Sequence, residues 1–62
     1  MRNNKLRGKI IEMYGSQADF ASILVVHEVF VSRVVNERIE LSDETKQKWA
    51  ELLNCEIEEI FL

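Results

Sequence analysis

The residue types that support catalysis or metal binding are scarce in this chain. It has one cysteine, Cys55, and one histidine, His27, among 62 residues. A structural zinc site needs about four ligands at characteristic spacings, and a cysteine–histidine nucleophile needs a cleft and an oxyanion site. The sequence therefore predicts no enzyme activity, no metal ion and no cofactor. We expect Cys55 to be a small buried apolar residue.

Length and composition limit the fold class. A chain of 62 residues has room for one domain, over residues 1–62, and a domain this small buries only about 60% of the surface of its unfolded chain. Apolar residues make up 47% of the sequence and charged residues 31%, a balance that indicates a folded chain. The absence of proline and the presence of only two glycines favour helices.

Charge is unevenly distributed along the chain, whose net charge is −3. Four basic residues precede the first acid, and three acids lie close to the other end. A DNA-binding domain usually has a basic footprint, so the N-terminal segment is the part that fits one. The longest apolar run, residues 23–26, is too short to cross a membrane. With a single cysteine and no secretory signal, the sequence predicts a cytoplasmic protein.

Apolar residues recur with the period of an α-helix along the whole chain. The pattern predicts an all-α fold with helices over residues 5–14, 17–24, 28–36 and 43–53, and one short final helix within the tail, residues 56–62. A strand over residues 23–26 is rejected because no second strand is available to pair with it. The predicted N-caps are Asn3 or Asn4, Ser16 in a capping box with Asp19, and Ser42. Gly15 and Asn54 fit the residue that ends a helix.

Helices 2 and 3 have the lengths and spacing of a helix-turn-helix, in which the second helix enters the major groove of DNA. Their crossing needs a small residue, which Ala21 provides, and a large apolar anchor just before it, which Phe20 provides. The apolar residues expected to close the core side are Leu24, Val26, Val31 and Val34. Met13 is expected on the buried face of helix 1, with Leu6, Ile10 and Tyr14.

The segments Gln17-Ala-Asp-Phe-Ala21 and Val31-Ser-Arg-Val34 resemble the helix-turn-helix of the phage Cro and lambda-repressor type, the XRE-like family. Residues 9–15 resemble the first helix of that family, and residues 42–53 and 58–61 resemble its last two. The likeness extends from residue 6 to residue 61. It implies a compact five-helix domain that binds operator DNA, usually as a dimer, and controls transcription.

The sequence departs from the family pattern at both ends of helix 3. Val25 and Glu37 stand where the family usually has glycine. A β-branched residue disfavours a positive φ, so the turn at Val25 is expected to be altered or strained. His27 replaces the usual serine or threonine cap of helix 3, and Leu41 replaces a common proline.

The resemblance assigns DNA contacts by position. The matching residues are Gln17, His27, Glu28, Val29, Ser32, Arg33 and Asn36, with Arg38 and the basic N-terminus as phosphate contacts. Arg33 has the chemistry to bind guanine O6 and N7 or a phosphate, and Asn36 has that to pair with adenine. Glu28 can accept from cytosine N4, and Val29 can touch a thymine methyl group.

Each assignment has a structural alternative. Arg33 and Asn36 fit an ordinary solvated helix face, and Glu28 fits a first-turn acid that stabilises helix 3. His27 fits a turn residue and Gln17 a plain first-turn residue. Phe30 is expected to pack into the core rather than form an exposed partner site. Trp49 is expected in the core because its face repeats with that of Leu52 and Leu53.

Two functions compete at this point. The first is a sequence-specific DNA-binding regulator, a small phage or prophage Cro-like repressor. The alternative is a protein-interaction domain that keeps the fold but has lost DNA binding, which the acidic balance and Glu28 favour. A homodimer, formed free or only on DNA, is predicted because the tail carries more apolar residues than one short helix must bury: Ile57, Ile60, Phe61 and Leu62.

Overall fold

The computed structural model describes residues 2–61, and in that range it contains five α-helices and no strand. The helices are α1 (Asn4–Tyr14), α2 (Gln17–Leu24), α3 (Glu28–Val35), α4 (Asp43–Leu52) and α5 (Ile57–Phe61). The predicted all-α, five-helix class is confirmed, and the predicted ends of the first four helices are each correct to one residue. The predicted end of the tail, Leu62, lies outside the described residues.

Three helices begin at the side-chain caps predicted for them. The side-chain oxygens of Asn3, Ser16 and Ser42 each accept a hydrogen bond from the backbone N–H three residues further on, at 3.0, 3.0 and 3.2 Å. These bonds satisfy N–H groups that have no partner within the first turn of a helix. Local polar residues therefore set where α1, α2 and α4 start.

Residues with a positive φ end four of the helices. Gly15 (φ 92°) and Asn54 (φ 55°) do so as predicted, and Val25 (φ 59°) and Glu37 (φ 60°) do so although neither is glycine. The residues that follow Val25, Glu37 and Asn54 each donate their backbone N–H to the carbonyl five residues earlier. The distances are 3.0 Å after Val25, 2.8 Å after Glu37 and 3.0 Å after Asn54. These bonds close the helices in the way glycine usually permits. The turn at Val25 was expected to be either altered or strained. It keeps the left-handed geometry and is therefore strained.

The core is organised around Trp49, the only tryptophan of the chain. Its ring lies 5.2 Å from that of Phe20, 6.4 Å from that of Phe30 and 6.2 Å from that of Phe61, measured between centroids. Tilted and edge-on contacts at these distances are favourable between aromatic rings. The predicted core position of Trp49 is confirmed, and Phe30 is half-buried against the core. The buried residues are Leu6, Ile10, Phe20, Ala21, Val31, Val34, Val35, Leu41, Trp49, Ala50, Leu53 and Ile60.

Two apolar residues expected in the core are exposed. Met13 is 40% exposed because it lies at the edge of the α1 face that Leu6 and Ile10 bury, and Tyr14 takes the place at the last turn. The Tyr14 hydroxyl donates to the Leu52 carbonyl at 2.7 Å. Val26 is 39% exposed because it stands outside both helices, in the turn between α2 and α3. Cys55 is half-buried rather than buried.

Asn3 links the start of α1 to two other helices. Its backbone N–H donates to the Val35 carbonyl at 2.7 Å, and its side-chain amide donates to the Ile60 carbonyl. The same side chain caps α1 through its oxygen. One residue thus joins the ends of α3 and α5 to the beginning of α1.

Replacing Val25 by glycine is expected to stabilise the protein. The left-handed conformation costs a residue other than glycine about 1–2 kcal/mol, and Val25 is 88% exposed, so few packing contacts are lost. We expect Val25→Gly to raise the free energy of unfolding in urea by about 1 kcal/mol. The matched control is Val29→Gly, which places glycine inside α3 and should lower it by about 0.5 kcal/mol. A loss of stability in Val25→Gly would contradict the strain.

Asn3→Asp separates the two roles of the Asn3 side chain. Aspartate is as good an N-cap as asparagine, but it cannot donate to the Ile60 carbonyl. We expect Asn3→Asp to lower the free energy of unfolding by about 1 kcal/mol, and Asn3→Ala, which also loses the cap, by about 2 kcal/mol. Asn4→Asp is the control, with little expected change. Equal stability of Asn3→Asp and the unmodified chain would show that the bond to α5 contributes nothing.

Candidate nucleic-acid interface

Helix α3 has one buried face and one face open to solvent. Its buried face consists of Val31, Val34 and Val35. The opposite face is formed by five of the predicted DNA-contact residues. Three of them are exposed, namely Glu28, Val29 and Arg33, and two are half-buried, namely Ser32 and Asn36. Residues at these spacings share one side of a helix. The structure therefore brings these five side chains together on an accessible surface, the outer face of α3.

His27 caps the start of this helix. Its Nδ1 accepts a hydrogen bond from the Val29 N–H at 3.3 Å, so the predicted cap is present and its length is that of a weak bond. An imidazole that accepts at Nδ1 carries its hydrogen on Nε2. In this arrangement His27 is exposed and has a donor for a phosphate or base oxygen.

Asn36 ends α3 and is held by two side chains. Its Oδ1 accepts from Arg2 Nε at 3.3 Å, and its Nδ2 donates to Ser32 Oγ at 3.4 Å. The contact between Arg2 and Asn36 joins residues 34 positions apart, and no local pattern in the sequence predicts it. Both polar atoms of the Asn36 amide are thus engaged, which competes with the predicted pairing to adenine.

Arg38 lies just beyond α3, where its backbone N–H donates to the Arg33 carbonyl at 2.8 Å. It lines a shallow concavity together with Arg2, Asn4 and Asn36. The last predicted contact, Gln17, is half-buried at the first position of α2, on a different element. The α2 and α3 helices are joined by residues 25–27, an arrangement compatible with a helix-turn-helix.

Among the residues that the structure describes, no acid forms an ion pair with the arginines near α3. Within residues 2–61, two ion pairs have an N···O distance of at most 4.0 Å. They are Lys9–Glu12, at 3.7 Å, and Lys46–Glu40, at 4.0 Å. Neither pair uses Arg2, Arg33 or Arg38. Glu28 is the one acid among the five residues of the outer face of α3, and it stands in the first turn, where the helix dipole favours a negative charge.

Cys55 and the acidic residues make no chemical centre in the described part of the chain. No group of three or more histidine, cysteine, aspartate and glutamate side chains among residues 2–61 is placed to hold a metal ion. Burial and the nearby Glu59 raise the pKa of the Cys55 thiol, with Lys9 opposing and Glu56 adding to the shift. A thiol with a raised pKa is a weak nucleophile at neutral pH. None of the helices described is both long and apolar enough to span a bilayer.

Comparison with known proteins gives a family but no activity. No curated protein and no solved structure matches the chain. The likeness to the Cro and lambda-repressor type therefore stays a resemblance. One family model, described as a protein of unknown function (DUF739), matches residues 2–62. Since that match covers nearly the whole chain, this protein belongs to the DUF739 family.

Proposed function

We propose that this protein is a sequence-specific DNA-binding transcriptional regulator, a small phage or prophage repressor of the Cro-like kind. The observation that supports this most is the outer face of α3, which presents polar and charged side chains on a helix whose other face is fixed in the core. A helix supported in this way fits the major groove, which is about 12 Å wide.

Base recognition would come from the exposed residues of that face. Arg33 is exposed and free of the ion pairs described above, so its guanidinium can bind guanine O6 and N7 in a bidentate manner. Val29 is 46% exposed and can contact a thymine methyl group, and Glu28 can accept from cytosine N4. Ser32 can bond to either kind of base edge, although its hydroxyl already accepts from Asn36.

Contacts to the DNA backbone would position the helix. His27 and Arg38 flank α3, and Gln17 lies at the N-terminus of α2, where backbone N–H groups favour phosphate. Such contacts fix orientation without specifying sequence. The proposed ligand is therefore duplex operator DNA, bound by α3 with support from α2 and from both ends of α3.

A homodimer on DNA is part of the proposal, with half-sites about 34 Å apart. The apolar tail gives it less support than the sequence suggests. Ile60 is 2% exposed within one copy, and Ile57 and Phe61 pack against the same core. The remaining residue of that argument, Leu62, lies outside the described residues.

A second candidate function is favoured by apolar exposure around the turn before α3. Ile23 is 53% exposed and Val25 88%, and the net charge of −3 opposes attraction to phosphate. These features fit a protein-interaction domain that no longer binds DNA. DNA titrations that stay flat, together with capture of a folded partner by this surface, would favour that function.

The DNA-binding proposal is tested by Arg33→Ala. Selection from a random duplex pool first identifies the bound sequence, and fluorescence anisotropy then measures affinity at several salt concentrations. We expect binding that weakens steeply with salt and a loss of more than about 1 kcal/mol in Arg33→Ala, with relaxed sequence preference. Lys48→Ala removes an equal charge from the exposed side of α4 and should change affinity much less.

Two results would contradict the proposal. One is a selection that enriches no sequence and shows no salt-dependent binding. The other is a loss in Lys48→Ala equal to that in Arg33→Ala, which would indicate that only overall charge matters. Urea unfolding of each variant ensures that a loss of binding is not a loss of fold.

A further inference from the structure

The segment before α1 is held against the end of α3. The backbone N–H of Asn3 donates to the Val35 carbonyl at 2.7 Å, and its side chain bonds to α5 and caps α1. The chain at this point therefore has a defined position. Arg2, one residue earlier, lies next to the last turn of α3.

Arg2 is joined to the outer face of α3 by a chain of hydrogen bonds. Arg2 Nε donates to Asn36 Oδ1 at 3.3 Å, and Asn36 Nδ2 donates to Ser32 Oγ at 3.4 Å. A guanidinium has five N–H donors, and this bond uses one. The other four, on the two Nη atoms, make no hydrogen bond to another residue of the range 2–61.

Arg38 supplies a second guanidinium to the same concavity. The concavity is lined by Arg2, Asn4, Asn36 and Arg38, and this lining contains two positive charges and no acid. A neighbouring hollow that shares Arg2 and Arg38 adds Lys5 and Lys46 and the acids Glu37 and Glu40. One of those acids, Glu40, is already paired with Lys46.

We infer that Arg2 and Arg38 form a clamp for a DNA backbone phosphate at the C-terminal end of α3, and that Asn36 is a positioning residue for Arg2. This inference rests on the proposed function. Guanidinium groups bind phosphate through two parallel N–H bonds, and the two arginines line one concavity whose lining contains no acid. Asn36 then acts through Arg2, because its amide oxygen fixes the guanidinium and its amide nitrogen bonds to Ser32.

The first test measures how affinity depends on salt in Arg2→Gln and Arg38→Gln. The slope of log K against log salt is negative, and each lost phosphate contact reduces its magnitude by about 0.9. We expect each variant to show part of this decrease, because the other arginine still contacts the phosphate, and a several-fold weaker affinity, the same for the selected sequence and for unrelated DNA. Lys48→Gln, outside both concavities, is the charge-matched control and should leave the slope nearly unchanged.

The second test asks what Asn36 does. If Asn36 positions Arg2, Asn36→Ala weakens binding equally for all sequences and lowers the salt slope, and the double variant with Arg2→Gln is no weaker than the Arg2→Gln single variant. If Asn36 reads adenine, Asn36→Ala changes the selected sequence and keeps the slope, and its effect adds to that of Arg2→Gln. The second pattern overturns the positioning role.

The outcomes separate this inference from the proposed function. If the unmodified protein binds DNA but Arg2→Gln and Arg38→Gln keep its salt slope, the clamp is wrong and the proposed function stands. If the unmodified protein binds no DNA, both are wrong. Urea unfolding of each variant distinguishes lost contacts from a lost fold.

Discussion

The packing of the Trp49 indole is the constraint on which the rest of this small domain depends. It places side chains from α2, α3 and α5 around one residue of α4. A core of this size supplies only about 3–5 kcal/mol of net stability, and removing a buried aromatic residue costs about as much. The relative positions of four helices are therefore fixed by a single side chain and its aromatic neighbours.

That packing also determines which side of α3 is available. Phe30 lies against Trp49, and Val31 and Val34 are buried beside it, so the helix cannot rotate without exposing apolar surface. The positive-φ residues Val25 and Glu37 bracket the same helix. Their backbone geometry is that of glycine positions, and the helix-closing hydrogen bonds are kept. The outer face of α3 is thus defined by the core on one side and by two strained turns at its ends.

The sequence predicts well the features that depend on residues close together in the chain. Capping by Ser16 and Ser42 and the apolar period around Trp49 act over one or two helical turns, and they give the helix bounds to within one residue. Met13 and Val26 were predicted to be buried, and this was wrong. A residue at the edge of an apolar face is buried only if a neighbouring helix covers it. The contacts of Arg2 with Asn36 and of Asn3 with Ile60 depend on how the helices assemble. No local pattern marks them, so at the candidate interface the face of α3 was predicted and the link to Arg2 was not.

The bond between Asn3 and Ile60 has a practical consequence. It sets the two ends of the described chain side by side, next to the last turn of α3. Adjacent ends make a domain suited to circular permutation or to insertion into another protein. An affinity tag or a fused domain at either end would be attached within a few residues of this point. Such an addition would occupy the space in which we place the DNA backbone, so binding is best measured on protein from which tags have been removed.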